Sequence, residues 1–454
     1  MKNTHPTSLE RDSFSNRFGV LVAMSGSAIG LGNLWRFPYL VGENGGAAFI
    51  IIYLAFVIVL CLPIMFSEFI IGRRSQTNVF GAFRILAPGS KWGIMGLLAV
   101  LASVCILSFY CVVGGWSIEY LVKALSFDFK AENNAIFGSL FENFVSSPIK
   151  PLIFNLIFLG ITGLIVIAGI KNGIERYTKM MMPVLFFIMI IIAVRSMTLK
   201  GGEEGILYLF KPDFSKVTSD TFLAALGQAF FSLSLGCGTI MTYASYVKKD
   251  ENIIKCSAYT AIADTVFAII AGCAIMPAVF SFGISPEEGP GLIFITLPHI
   301  FSRLPLGGLI AILFFFTLFI AAITSSISLL EVIVSYLKEE FKMKRLVAVV
   351  ISFSVILILG SLCSLSQGRL GYITIFGKNF FDFFDYLASN ILLPLGGLLV
   401  VLFVGWKLGK SNVFDELTNQ GKIKISKWVL ETIFFIIRFL APATISVIFF
   451  SNIS

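Results

Sequence analysis

The sequence predicts an all-α polytopic membrane protein. Of its 454 residues, 57% are hydrophobic and only 13% are charged, and the mean hydropathy is +0.91. Soluble proteins carry nearly twice that charged fraction. Apolar stretches of about twenty residues, the length that an α-helix needs to cross a bilayer, recur along the whole chain. They predict eleven transmembrane helices, named segments 1 to 11, at about residues 17–40, 46–72, 92–124, 151–170, 176–198, 222–247, 253–283, 306–340, 345–365, 380–408 and 428–451.

The net charge of +8 predicts an orientation and not a nucleic-acid partner. Most of the 34 Lys and Arg residues fall in the N-terminal stretch and in alternate loops, and such loops face the cytoplasm. We therefore expect a multi-pass protein of the cell inner (plasma) membrane, in contact with the lipid bilayer, with a cytoplasmic N-terminus. The odd number of segments then places the C-terminus outside. The sequence carries no signal for an oligomeric state.

Two apolar segments carry their own helix breakers. Segment 1 contains "SGSAIGLGNLWRFP" (25–38), and segment 6 contains "FFSLSLGCGTIMTYASY" (230–246), each with Gly-x-Gly near its centre. Backbone polar groups cannot stay unpaired in lipid, so a break must line a protein cavity. Packing of small residues between helices is the alternative, but it does not explain Asn33, Ser232 and Ser234 beside the breaks.

The two breaks stand five segments apart, so the segments that carry them run in opposite directions. This pattern predicts an inverted five-helix repeat, with helices 1 and 6 broken at mid-membrane around a common site. The predicted organisation is a cytoplasmic N-terminal segment (1–16), a first repeat of segments 1–5 (17–198), an extracellular loop (199–221), a second repeat of segments 6–10 (222–408), a cytoplasmic loop (409–427), and segment 11 with an external C-terminus (428–454).

Three motifs resemble the neurotransmitter:sodium symporter family, and in particular its bacterial amino-acid transporters. They are "GSAIGLGNLWRFPYLVGENGGAAF" (26–49), "SLSLGCGTIMTYASYV" (232–247) and "TSSIS" (324–328). The resemblance extends from Arg11 to about residue 451. It implies a sodium-coupled secondary active symporter that takes up an amino acid by alternating access. No cluster of His or pair of Cys suggests an enzyme, and we predict no catalytic residues.

The resemblance implies two sodium sites built from hard oxygen ligands. Broken helices expose carbonyl groups for this purpose. Adjacent hydroxyls such as those of Thr324 and Ser325 can also bond back within their own helix, which is the alternative explanation for that motif. One site would use Gly26, Ile29, Ala321, Thr324 and Ser325, and the other Ala28, Asn33, Ser232 and Asp264 together with the carboxylate of the substrate.

Asp264 is a carboxylate well inside segment 7, where an unpaired charge is costly. Animal members of the family need chloride near the second of these sodium sites. We interpret Asp264 as a fixed negative charge that makes transport chloride-independent. A proton carrier for the return step is the alternative role.

The substrate class follows from Gly30. Amine-transporting members carry an aspartate at the matching position, whereas Gly30 offers only a backbone N–H, which favours an anion. We therefore expect an amino acid, whose carboxylate the Tyr110 hydroxyl would hold by resemblance. Cys237 stands where a larger residue is found in a relative, which favours a large hydrophobic or aromatic side chain. The expected binding residues are Ser27, Ala28, Gly30, Leu31, Gly32, Ile106, Tyr110, Phe231, Ser232, Ser234, Cys237, Ser325 and Leu329.

Two other functions stay open at this point. A small aliphatic amino acid could be the substrate, because one methylene changes affinity only modestly in such pockets. A membrane receptor that binds an amino acid without moving it would carry the same site.

The family pattern also implies gates. Arg36 and Asp385 would close the outer side, and Arg11 and Glu339 the inner side. Charged side chains near helix ends commonly just extend toward water, and this is the alternative explanation for both pairs. The stretch from Gly173 to Pro183 would let segment 5 unwind, although a simple kink would explain the same residues.

Overall fold

The computed structural model describes residues 12–129, 134–284 and 291–451. Over these ranges the chain is helical apart from its turns and one isolated β-bridge between Ile375 and Lys378. Within them, nine helices are long and apolar enough to cross a membrane. They are Ala47–Ser75, Gly93–Leu125, Lys150–Ile167, Ile170–Met197, Ile253–Ser281, Gly307–Glu340, Arg345–Leu365, Phe380–Leu408 and Lys427–Phe450, which are segments 2 to 5 and 7 to 11.

Segments 1 and 6 are the two interrupted ones. Segment 1 consists of Arg17–Ala28 and Gly32–Glu43, which are bent by 48° at the break. Segment 6 consists of Ser219–Ser232 and Thr239–Ala244, separated by six non-helical residues. The predicted fold class is therefore confirmed, with both breaks at the Gly-x-Gly motifs. The predicted domain boundaries stay predictions.

Segments 4 and 5 are separated by a very short turn. Gly169 has φ +88°, a backbone conformation that residues with a Cβ rarely adopt, and segment 5 begins at the next residue. The chain therefore reverses at this glycine without a longer loop, and segment 5 begins before the predicted residue 176.

Shorter helices lie outside the long ones. They are Val79–Leu86, Asn134–Val145, Gly202–Phe210, Phe214–Lys216, Leu292–Thr296 with Leu297–Arg303, and Lys410–Leu417. The last of these belongs to the loop between segments 10 and 11.

Segments 3 and 8 pack along one another at the centre of the molecule. Segment 1 contacts segments 5, 7 and 8, whereas the second half of segment 6 contacts segments 2 and 8. The first half of segment 6 contacts segment 10. This packing surrounds both breaks with helices, so their exposed peptide groups face protein and not lipid.

Candidate functional site

The break in segment 1 frees peptide groups for contacts outside the helix. Ile29 is extended (ψ 110°), and its carbonyl accepts hydrogen bonds from the hydroxyls of Thr324 and Ser325, both at 3.3 Å. The N–H of Gly30 donates to Oδ1 of Asn33 at 3.0 Å. The asparagine side chain thus replaces a helical acceptor, which the opened turn cannot supply.

The break in segment 6 depends on left-handed backbone. Ser234, Gly236 and Gly238 have φ values of 53°, 84° and 80°. The conformation is costly for a serine, and the Ser234 hydroxyl compensates by donating to the Ser27 carbonyl at 3.0 Å. The Gly236 N–H donates to Oε1 of Glu68 at 2.7 Å. These contacts hold the loop of segment 6 against segments 1 and 2.

Gly236 also fixes how closely segment 6 approaches segment 10. A Cβ placed on Gly236 would lie 3.0 Å from the carbonyl carbon of Leu393 and 3.1 Å from the nitrogen of Gly397. A Cβ on Gly396 would in turn meet the backbone of Gly236. The two segments therefore cross with their backbones in direct contact.

A small cavity lies between the two breaks. Its walls come from segments 1, 3, 6, 8 and 10. The lining residues are Ala28, Gly30, Gly32, Ile106, Tyr110, Phe231, Ser234, Cys237, Ser325, Leu329 and Leu393. All of these except Leu393 were expected binding residues.

Three expected binding residues lie beside the cavity and do not line it. The Ser27 hydroxyl points to Ser328 and donates to it at 2.8 Å. Leu31 donates its N–H to the Tyr110 hydroxyl at 3.0 Å, and the Ser232 hydroxyl points to Asp264. Ser27 and Ser232 were expected to be binding residues because of their positions in the motifs. A position in a motif does not give the direction of the side chain.

Gly30 and Tyr110 meet at the cavity wall. A Cβ on Gly30 would lie 2.6 Å from the Tyr110 hydroxyl and would also collide with the hydroxyl of Ser325. The glycine therefore lets two hydroxyls approach the break. Since the Tyr110 oxygen accepts the Leu31 N–H, the phenolic proton can be donated to another acceptor.

Asp264 is fully buried and lies behind the break of segment 1. Its carboxylate accepts hydrogen bonds from the Asn33 amide at 2.8 Å, from the Ser232 hydroxyl at 2.8 Å and from the Tyr53 hydroxyl at 3.3 Å. Three of the residues expected to form one sodium site, Asn33, Ser232 and Asp264, are thus in direct contact. Tyr53 was not anticipated, because a tyrosine in segment 2 carries no signal that distinguishes it from a packing residue.

The residues expected at the other sodium site also come together. Thr324 donates to the carbonyls of Ile29 and Ala321, at 3.3 and 2.9 Å. A Cβ on Gly26 would lie 3.6 Å from Cβ of Thr324. The bond to Ala321 lies within the helix, as in the alternative explanation, but the bond to Ile29 crosses to segment 1. Hydroxyl and carbonyl oxygens of this kind suit a hard cation.

Charged residues cover the cavity on one side. Arg36 lies 3.9 Å from Asp385, and Ser389 joins them by accepting from Arg36 at 3.0 Å and donating to Asp385 at 2.9 Å. The guanidinium of Arg36 stacks 4.9 Å from the ring centre of Phe231. The expected outer pair is therefore close and bridged by a serine that the sequence did not single out.

The expected inner features are only partly within the described residues. Arg11 lies outside them. Glu339 accepts hydrogen bonds from the Thr77 hydroxyl at 2.8 Å and the Asn78 N–H at 2.7 Å. The stretch from Gly173 to Pro183 is helical throughout.

This geometry, with two opposed helix breaks around a cavity that peptide groups and hydroxyls help to line, is typical of a secondary membrane transporter. The model of the sodium:neurotransmitter symporter family matches residues 11–135 and 149–454. The chain belongs to this family, whose members are sodium-dependent transporters.

The relatives are similar over nearly their whole length. An uncharacterized sodium-dependent transporter of Bacillus subtilis (strain 168), YhdH, is 41% identical over 443 residues, which cover 97% of both chains. An uncharacterized sodium-dependent transporter of Haemophilus influenzae is 40% identical, with 98% of both chains covered. The crystal structure of MhsT in complex with L-phenylalanine superposes with a TM-score of 0.91 at 43% identity, over 97% of this chain and 100% of the other.

Proposed function

We propose that this sodium-dependent transporter takes up a large hydrophobic or aromatic amino acid in symport with sodium, by alternating access and without chloride. The observation that carries the proposal is that the break in segment 1 contacts two different groups. One side of the break faces the cavity with peptide groups and the Tyr110 hydroxyl, and the other side contacts the Asp264 carboxylate through Asn33. An anion and a cation can therefore bind within a few ångströms of each other.

The carboxylate of the substrate binds at the first turn after the break. The N–H groups at the start of a helix have no partner within the helix, and they favour a negative charge. Tyr110 adds a hydroxyl whose proton is directed away from Leu31. Gly30 leaves room for the carboxylate because it has no side chain.

Sodium is the driving ion and is carried with the substrate. One ion would bind with Asp264, Asn33, Ser232 and the Ala28 carbonyl, next to the substrate carboxylate. The other would bind with Thr324, Ser325 and the carbonyls of Gly26, Ile29 and Ala321, where segment 8 meets segment 1. Because one ion shares its site with the substrate, binding of each favours binding of the other, which couples the two movements.

The rest of the cavity wall suits an apolar side chain. Ile106, Phe231, Leu329 and Leu393 supply apolar walls, and Cys237 is a small residue among them. MhsT, which has the same fold, was crystallised with L-phenylalanine. We therefore expect phenylalanine and other aromatic amino acids to be better substrates than glycine or alanine.

Asp264 supplies the reason for chloride independence. A buried carboxylate next to a sodium ion neutralises that ion without a mobile anion. Its three hydrogen bonds from Asn33, Ser232 and Tyr53 support the charged form.

Access to the cavity alternates between the two sides of the membrane. The layer of Arg36, Asp385 and Phe231 covers the cavity on the side that the charge bias assigns to the exterior. Opening requires this layer to separate while the opposite end stays closed. Sodium and substrate bias the equilibrium only if they bind the two states with different affinities.

The test is uptake of radiolabelled L-phenylalanine by the purified protein in proteoliposomes. We expect accumulation with an inward sodium gradient, none when potassium replaces sodium, and no change when gluconate replaces chloride. Competition by the other nineteen standard amino acids ranks the substrates. Sodium-dependent binding without accumulation would instead indicate a receptor, and competition mainly by alanine and glycine would indicate a small aliphatic substrate.

The proposed orientation has the N-terminus in the cytoplasm and the C-terminus outside the inner membrane. A reporter enzyme that is active only outside the membrane should be active when fused after residue 451. Activity of the same reporter fused in the loop at 409–427 would contradict this orientation.

A further inference from the structure

Arg438 is an arginine inside segment 11, a membrane-spanning helix. In the described part of the chain, no carboxylate lies within ion-pair distance of its guanidinium, and its buried Nε has no hydrogen-bond partner. Two other arginines at the ends of segments differ in this respect. Arg73 pairs with Glu416 at 2.7 Å, and Arg345 pairs with Glu331 at 2.5 Å. An unpaired cation in a segment is costly, so Arg438 needs a partner.

Aromatic rings hold the guanidinium in place. Its central carbon lies 4.4 Å from the ring centre of Trp406, 5.3 Å from that of Phe439 and 5.9 Å from that of Phe434. The Trp406 indole N–H also donates to the carbonyl of Arg438 at 3.1 Å. Gly405 permits this close approach, since a Cβ there would lie 2.9 Å from Cα of Arg438. Rings attract the cation but do not neutralise it.

The position of Arg438 along the membrane normal follows from its neighbours. Trp406 is two residues from the end of segment 10 at Leu408. The loop that follows packs against the first turns of segment 11, with Lys410 paired to Glu431 at 2.6 Å. Arg438 therefore lies level with the end of segment 10, although it is eleven residues into its own helix. Tryptophan prefers this depth, where lipid headgroups meet the hydrocarbon.

The surface around Arg438 is apolar and faces outward. Trp406, Phe435 and Phe439 are 55%, 58% and 46% exposed. Lys407, next to Trp406, is exposed and adds a second positive charge. A molecule that covers this surface must combine apolar chains with a negative head, and a bilayer supplies such molecules as anionic phospholipids.

We propose that Arg438, Trp406 and Lys407 form a binding site for one anionic phospholipid at the basic end of segments 10 and 11. The lipid phosphate accepts from the guanidinium, and the acyl chains lie along Trp406 and Phe439. The site is separate from the transport cavity and does not depend on the proposed substrate. Its function is to anchor the last segment in the membrane at a fixed depth.

The test is lipid retention by the full-length protein, measured by native mass spectrometry after detergent extraction. The probes are phosphatidylglycerol and phosphatidylcholine with identical acyl chains, added at equal concentration. We expect wild-type protein to retain phosphatidylglycerol over phosphatidylcholine by about fivefold, which corresponds to about 1 kcal/mol for one basic residue at the surface. In R438Q this preference should disappear. The matched control R195Q removes an arginine near the C-terminal end of segment 5, away from this site. It should behave as wild type.

Thermal unfolding separates lipid binding from folding. R438Q should unfold at the wild-type temperature in detergent alone, whereas added phosphatidylglycerol should raise the Tm of wild type only. If R438Q does not fold, R438K decides the question, because it keeps the charge but loses the planar stacking. We expect it to retain at most half the phosphatidylglycerol of wild type. Equal retention of both lipids by the wild-type protein overturns the proposal. It is also overturned if R438Q retains as much phosphatidylglycerol as the wild-type protein does. Where R438Q does not fold, the same result for R438K overturns it.

Discussion

The side-chain amide of Asn33 lies 2.8 Å from the carboxylate of Asp264, and the two residues belong to different segments. Asn33 at the same time accepts the N–H of Gly30 through its oxygen. One side chain thus connects the break of segment 1 to the buried charge of segment 7. A change at either residue should affect ion binding and substrate binding together.

Replacing Asp264 with asparagine should remove the fixed charge. Loss of one partner beside a buried cation costs several kcal/mol, so we expect sodium-driven uptake without chloride to fall by more than about tenfold. Chloride should restore part of the activity, because a mobile anion can then take the place of the carboxylate. Uptake measured in chloride and in gluconate checks this, with Asp220→Asn at an exposed position of segment 6 as the control. Unchanged uptake in gluconate would show that Asp264 does not replace chloride.

Tyr110→Phe removes one hydroxyl from the cavity wall. The substrate carboxylate loses a hydrogen bond and the Leu31 N–H loses its acceptor. A hydrogen bond to a charged group contributes about 1.5–3 kcal/mol, so the KM for phenylalanine should rise by at least about tenfold. Tyr259→Phe, at an exposed tyrosine of segment 7, should leave KM unchanged. An unchanged KM in Tyr110→Phe would exclude the proposed carboxylate contact.

Gly30→Ala should block the cavity. The added methyl group would collide with the hydroxyls of Tyr110 and Ser325, which must then move apart. We expect loss of saturable amino-acid binding in scintillation proximity assays while the protein still elutes as a single peak in gel filtration. The control Gly160→Ala adds a methyl group where no atom lies within 4 Å. Normal binding by Gly30→Ala would mean that the ligand lies elsewhere.

Cys237→Phe should change the substrate range. The larger side chain fills part of the cavity, and a few methylenes of lost space cost more than about tenfold in selectivity. Phenylalanine uptake should therefore fall more than alanine uptake, when both are measured in the same vesicles. Cys237→Ser keeps the size and should keep the wild-type order. A parallel fall for both amino acids would place Cys237 outside the side-chain pocket.

Asp385→Asn should affect transport more than stability. The Arg36–Asp385 pair is 3.9 Å apart and Asp385 is 42% exposed, so the pair contributes at most about 1 kcal/mol to folding. Its role in covering the cavity predicts a lower uptake rate with little change in Tm. Asp382→Asn changes a nearby aspartate that bonds to Asn379 and should transport normally. A large fall in Tm without a change in uptake rate would assign the pair a structural role.

Much of the fold could be predicted because lipid constrains the chain strongly. Segment 9 was expected at 345–365 and is observed at Arg345–Leu365. Glycines predicted both breaks, but they did not give their limits. Gly32 begins a helix instead of lying in the break, because Asn33 and Tyr110 satisfy the peptide groups before it. Such contacts come from distant segments and leave no local pattern.

The cavity was predicted best where a motif was long. Segments 1 and 6 contributed their lining residues as expected, whereas Leu393 of segment 10 was missed. A leucine in an apolar segment looks the same whether it faces lipid, a neighbouring helix or a cavity. Ser389 was missed for a similar reason, since its bridging contacts depend on Arg36 from the other half of the chain.

The direct backbone contact of Gly236 with segment 10 has a mechanical consequence. Because no side chain at Gly236 separates the two backbones, the non-helical loop of segment 6 cannot slide past Leu393 without displacing it. The two must shift as one body, and the leucine carries part of the cavity wall with it. Widening this chamber for a bulkier cargo thus requires the two segments to be displaced together, because their backbones already touch and Gly236 has no side chain that could be shortened.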